Sequence, residues 1–156
     1  MQSPEMIDVL LVEDNIDDVE IARKAFAEAK LVNRLHVVRD GREACDYLFH
    51  AGAHSDPATA PTPGVILMDI NMPRMNGVEV LKRIKADPRL RRIPVIMLTV
   101  SRRDEDIVRS YDSGCNSFIQ KPVEFDKFVE VVKQLGLYWA LLNIGCPPAE
   151  PGSHRL

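Results

Sequence analysis

Short apolar runs recur along this chain, and each ends in a polar residue. Ile7-Asp8-Val9-Leu10-Leu11-Val12 leads to Glu13-Asp14, and Val65-Ile66-Leu67-Met68 leads to Asp69. Pro94 to Leu98 leads to Thr99, Ser117-Phe118-Ile119 leads to Gln120-Lys121, and Leu35 to Val38 is a shorter run of the same kind. Runs of this length bounded by turn residues read as strands. The stretches between them have helical period. Residues 17–30 place Val19, Ala22, Ala25, Phe26 and Ala29 at helical steps, and residues 41–49 place Ala44, Tyr47 and Leu48 on one face. Further helices are expected over 77–86, over 104–113 up to Gly114, and from about Glu124 to about Asn143. Asp17 with Glu20, and Asn76 with Glu79, have capping-box spacing. This alternation predicts an α/β fold with a parallel sheet covered on both faces and right-handed crossovers.

One connection breaks the rhythm. Residues 50–64 hold three prolines and two glycines, which predicts a loop without regular structure, of a length that is usually functional or mobile. The ends also lack pattern: residues 1–6 read as an N-terminal extension and 144–156 as a disordered tail around one domain over 7–143. The 156 residues suit one domain. A net charge of −3 gives no electrostatic case for nucleic-acid binding. Cys45, Cys115 and Cys146 form no CxxC pair, which fits a reducing cytoplasm better than a disulfide framework or a zinc site. Met1-Gln2-Ser3-Pro4-Glu5 has neither a basic n-region nor an apolar h-region, so no signal peptide is expected, and no apolar stretch nears the roughly 18 residues of a membrane span.

The strand ends carry the candidate chemistry. In an open parallel sheet, ligands bind beyond the carboxyl ends of the strands. Glu13, Asp14, Asp69, Thr99 and Lys121 are therefore expected in one crevice. Three carboxylates brought together repel one another, and a divalent cation is the simplest remedy; oxygen ligands suit Mg²⁺. Acids for a metal, a hydroxyl and an ammonium make a phosphoryl site. The chain has no Gly-rich phosphate loop and no GKS or GKT triplet, and Glu13-Asp14-Asn15 after the first strand would repel a nucleotide phosphate. Asp69 beside Mg²⁺ and a lysine is suited instead to be a nucleophile forming an acyl phosphate.

Leu11-Val12-Glu13-Asp14-Asn15, Met68-Asp69-Ile70-Asn71-Met72-Pro73 with Gly77, Leu98-Thr99 and Gln120-Lys121-Pro122 resemble the receiver domain of two-component response regulators. Thr99 lies 30 residues and Lys121 52 residues after Asp69, as in that family. The resemblance covers about residues 7–135. It implies a flavodoxin-like, doubly wound sheet of five strands in the order 2-1-3-4-5 with five helices. It implies that Asp69 accepts phosphate from a histidine kinase. Asp14 and Asp69 would bind Mg²⁺ by side chain, Asn71 by its carbonyl, and Glu13 directly or through water. Thr99 and Lys121 would hold phosphoryl oxygens, Lys121–Pro122 would be a cis bond, and Phe118 would take the aromatic switch position. The 50–64 loop and Gly136-Leu137-Tyr138-Trp139 resemble stand-alone receivers paired with bacterial phytochrome kinases, which implies such a kinase as partner.

Other readings compete. Glu13 and Asp14 could complement the dipole of the following helix, and Phe118 could be core filling. Arg83, Lys85, Arg89, Arg91, Arg92, Arg102 and Arg103 read as a solvated face that can steer an acidic partner, without the aromatic interleaving of a nucleic-acid surface. His36, His50, His54 and His154 have no ligand spacing. Met68, Met72, Met75 and Met97 read as packing residues. A Mg²⁺-dependent phosphohydrolase would need a second acid at position 71, where Asn stands. A flavodoxin-like binding module would need a different loop after the first strand, and a pseudo-receiver would lack the acid set. Few residues remain for an output domain, so the expected output is protein contact, or a role as phosphate relay or sink. Val100, after Thr99, is expected to slow hydrolysis of the phosphate. The last helix carries a core face of Phe128, Val131, Val132, Leu135, Tyr138, Trp139 and Leu142, and a second stripe of Leu137, Leu141 and Ile144. That stripe predicts a homodimer through residues near 125–145, unless Gly136 ends or kinks the helix and folds the stripe back on its own domain.

Overall fold

A computed structural model describes residues 7–29, 33–72, 74–99, 103, 117–120 and 125–143, and only the backbone for 7, 33, 99, 117–120 and 135–143. The elements are β1 (Ile7–Val12), α1 (Ile16–Glu28), β2 (Asn33–Val38), α2 (Gly41–Leu48), β3 (Val65–Asp69), α3 (Gly77–Ala86), β4 (Val95–Thr99), β5 (Ser117–Gln120) and α4 (Phe125–Asn143). The strands form one sheet in the order β2-β1-β3-β4-β5, and each pairing is parallel. The expected helix at 104–113, Lys121, Pro122, Val100, Arg102, Cys115, Cys146, His154 and both chain ends lie outside the described residues.

Alternation along the strands feeds two cores. Leu10, Val12, Ile66, Met68, Val95 and Met97 point to the face covered by α2 and α3, where they meet Tyr47, Leu48, Leu81 and Ile84. Val9, Leu11, Val65, Leu67, Ile96 and Leu98 point to the other face and meet Ala22, Ala25 and Phe26 of α1 and Phe128, Val129 and Val132 of α4. The middle strand β3 is buried along its whole length, as a strand covered on both sides must be. In α4, Val129 is buried while Val131 is only partly so. The inward stripe therefore includes Val129, which the expected core face left out.

Two further expectations need correction. α1 is capped by Asn15, whose Oδ1 accepts from the Asp18 amide at 3.1 Å, and not by Asp17. The chain leaves the sheet at Glu13, whose amide bonds Val38 O at 2.9 Å. The first free turn thus falls at Asn15, as effective a cap as Asp. The 50–64 loop does contain regular structure, a 3₁₀ turn at Gly52–His54. His50 and Gly52 take left-handed φ values of 54° and 55° on its approach. The loop is also tied down. Tyr47 Oη donates to Pro61 O at 2.8 Å, His50 Nε2 lies 2.9 Å from Ala60 O, and Ala60 is fully buried.

Candidate functional site

Register brings the acids together. Val12 pairs with Met68 across β1 and β3, so the next residue on each strand, Glu13 and Asp69, emerges at the same level. Asp69 pairs with Leu98 on β4, so the backbone of Thr99 lies one step beyond it. Glu13 and Asp69 are buried, at 1% and 4% exposure, and Asp14 is exposed. Each of the three offers a carboxylate oxygen within 4.8 Å of the others. Main-chain amides orient two of them: Asn15 N donates to Glu13 Oε2 at 3.2 Å, and Asn71 N donates to Asp69 Oδ1 at 3.1 Å. Fixing one oxygen of a carboxylate fixes the direction of the other.

The cluster fits a divalent cation. An octahedral Mg²⁺ with ligands at about 2.1 Å needs its oxygens no more than about 4.2 Å apart. Oxygens that all lie within 4.8 Å of one another are therefore grouped on the scale of one such coordination sphere. Two buried acids and a third at the mouth supply hard oxygen donors of high charge, the set that such an ion prefers.

The loop after Asp69 is shaped by close packing. Gly77 opens α3 with its amide on Ile70 O at 2.9 Å, and a Cβ there would stand 2.5 Å from Asp69 O. Asn76 caps α3 by accepting from the Glu79 amide at 3.0 Å, as its spacing predicts. Met72 and Met75 pack against the core beside the loop. Of the residues expected in the crevice, Glu13, Asp14 and Asp69 are brought together and Asn71 joins them by its amide. Thr99 and Phe118 are placed by backbone only.

The response regulator receiver domain matches residues 9–133 of this chain. The chain belongs to the response regulator receiver family. Probable methanogenesis regulatory protein FilR2 of Methanothrix harundinacea is 37% identical over 142 residues, 90% of this chain and 88% of that protein. Response regulator Rcp1 of Synechocystis is 32% identical over 131 residues, 84% of this receiver and 87% of Rcp1. Among solved structures, the phosphorylated cyanobacterial phytochrome response regulator RcpA superposes with a TM-score of 0.74 at 36% identity, covering 93% of this chain and all of that one. The bacteriophytochrome response regulator AtBRR gives 0.70 at 44%, covering 90% and 99%. The Mn²⁺-bound form of Rcp1 gives 0.72 at 31%, covering 92% and 99%. The protein is thus a receiver related to phytochrome response regulators, with a phosphoacceptor role in signalling. No helix among the described residues is long and apolar enough to cross a membrane.

Sequence reasoning missed the residues that brace this site. Asp40 is a buried carboxylate at the start of α2. Its Oδ1 accepts from the Glu43 amide at 2.8 Å, and its Oδ2 accepts from Arg74 through Nε at 3.0 Å and through Nη2. Burial pushes the Asp40 carboxyl up, but the Glu43 amide and the Arg74 guanidinium together hold it below the usual carboxylate value. Glu43 in turn accepts from the Arg39 amide at 2.9 Å and pairs with His54 Nε2 at 3.0 Å. The Asp40-to-Glu43 spacing is itself a capping signal in the sequence; the Arg74 and His54 partners have none. Arg89 is likewise no mere surface charge: it donates to Leu48 O at 2.7 Å, at the end of α2.

Proposed function

We propose that Asp69 is the phosphoacceptor of this receiver and takes its phosphoryl group from the phosphohistidine of a histidine kinase. The observation that carries the reading is the meeting of Glu13, Asp14 and Asp69, with Asp69 the member that ends the central strand. An oxygen of Asp69 forms the bond to phosphorus as the bond from the imidazole nitrogen breaks, and that nitrogen takes up a proton. Glu13, Asp14, Asp69 and the Asn71 carbonyl are the residues that would hold Mg²⁺. A cation bound there offsets the negative charge of the carboxylates and of the incoming phosphoryl oxygens. Thr99, whose backbone neighbours Asp69 across β4, would donate its hydroxyl to one of those oxygens, and Lys121 would neutralise another. Phe118, in register with Met97, takes the switch position.

The partner is proposed to be a bacterial phytochrome kinase, a reading supported by the likeness to RcpA and AtBRR, both named as phytochrome response regulators. The output is proposed to run through protein contacts of a cytoplasmic homodimer joined along α4, supported by the second apolar stripe in its sequence. Sedimentation of the wild type beside Leu137→Glu/Leu141→Glu checks that part.

Incubation with Mg²⁺ and a small acyl-phosphate donor should add one phosphate to the wild type and none to Asp69→Asn. Equal labelling of the two proteins would overturn the assignment.

A further inference from the structure

The loop from Ile70 to Asn76 carries Asn71 and joins Asp69 to α3, so its position sets the geometry of the site. Three observations show it held from outside, by the start of α2. Arg74 sits in the left-handed region at φ 67°, a conformation that crowds the Cβ of an L residue against its own backbone. A residue persists there when its surroundings over-determine it. What determines it is Asp40, 34 residues earlier, which takes both Nε and Nη2 of Arg74 on one oxygen while its other oxygen caps α2. Next to it, the Met75 carbonyl lies against Gly41 so closely that a Cβ on residue 41 would stand 2.0 Å from Met75 O. The Cys45 thiol, one turn along α2, meets Met75 Sδ at 3.6 Å.

We propose that Asp40 and Arg74 are positioning residues for the metal site: their ion pair latches the loop to α2 and so presets the Asp69 and Asn71 oxygens for the cation. The inference rests on the metal reading above. Arg74 itself is exposed and touches neither the carboxylate cluster nor a reacting atom in the described structure. It acts by fixing a backbone that would otherwise have to be ordered at the moment of binding, a cost that preorganisation removes. The arrangement suits arginine more than lysine. A planar fork reaches one carboxylate oxygen through two nitrogens, whereas an ammonium does so as a point charge.

The test uses the full chain as wild type, Asp40→Asn, Arg74→Gly and Arg74→Lys. Asn keeps the cap of α2 and removes the charge. Gly accepts the left-handed φ and removes the guanidinium, so neither variant need misfold. Calorimetric titration with MgCl₂ should show affinity reduced roughly tenfold in Asp40→Asn and Arg74→Gly, the low end for outer partners of metal ligands. Arg74→Lys should recover part of that loss. In metal-free protein, hydrogen exchange at the Asn71 and Gly77 amides should quicken in the first two variants while Leu10 and Leu11 in β1 keep their protection. Wild-type Mg²⁺ affinity in both variants would overturn the proposal, as would a uniform loss of protection that includes β1. If the wild type itself binds no Mg²⁺, the metal reading fails. The latch is then decided by metal-free exchange alone: unchanged protection at Asn71 and Gly77 refutes it, and selective quickening supports it.

Discussion

Two clusters of carboxylates lie along the same edge of the sheet, and they are held in opposite ways. At the start of α2, Asp40 and Glu43 each meet a basic side chain of the chain itself, Arg74 and His54, and each also takes a main-chain amide. At the ends of β1 and β3, Glu13, Asp14 and Asp69 bring oxygens within 4.8 Å of one another, and nearby amides of Asn15 and Asn71 aim them. The first cluster uses its charge to join segments: β2 to α2, the 70–76 loop to α2, and the 3₁₀ turn to α2. The second concentrates charge at one point. Neutralising an acid should therefore have opposite consequences in the two places. In the first it removes a tie; in the second it relieves repulsion and removes a ligand.

The largest effect is expected where the joining cluster is tightest. Gly41→Ala forces a methyl onto the Met75 carbonyl, a backbone atom that cannot swing away. We expect a loss of about 3 kcal/mol in urea unfolding, the upper range for overpacking. An unchanged midpoint would mean that the loop is not pressed on α2. Asp14→Asn should sharpen the contrast from the other side. It should lower Mg²⁺ affinity by roughly fiftyfold, since hard-cation affinity follows ligand charge, while the metal-free melting temperature stays level or rises. A clear fall in metal-free stability would place Asp14 with the joining acids.

The smallest effect is a dependence on pH. The folded carboxyl of Asp40 lies below its ordinary value, despite its burial, because the Glu43 amide and Arg74 favour the charged form. Its contribution to stability is present above the unfolded value of about 3.9 and is lost as pH falls through the lower folded value. The stability gap between wild type and Asp40→Asn should thus be steady from pH 7 to about pH 5 and narrow on acidification below about pH 4. A gap that stays constant to pH 2 would show that Asp40 stabilises by shape and not by charge.

Much of the fold was legible because its causes are local. Strand runs and helical steps placed each described strand and α-helix to within about two residues. Asn76 was readable as a cap because a cap needs only its own helix. Where two candidates stood close, as with Asn15 and Asp17, the choice fell to where the strand released the chain. The 50–64 loop was misread because its order comes from outside its own sequence. Tyr47, Glu43 and Arg89 grip it through Pro61, His54 and Thr62, and proline content says nothing of such partners.

The sequence by itself determined the elements, the acids at the strand ends and the motifs around Glu13, Asp69, Thr99 and Lys121 that resemble the receiver family. Periodicity and turn chemistry act over a few residues, so they can be read without coordinates. The tertiary structure decided which charges answer which. Asp8 takes both Arg34 and His36 from the neighbouring strand, Asp40 takes Arg74 from across α2, and Glu13 and Asp69 take each other's company. All are acids of similar intrinsic chemistry. Their difference lies in what the packed chain brings within a few ångströms, and electrostatic energy falls too steeply with distance and with solvent for sequence position to foretell it.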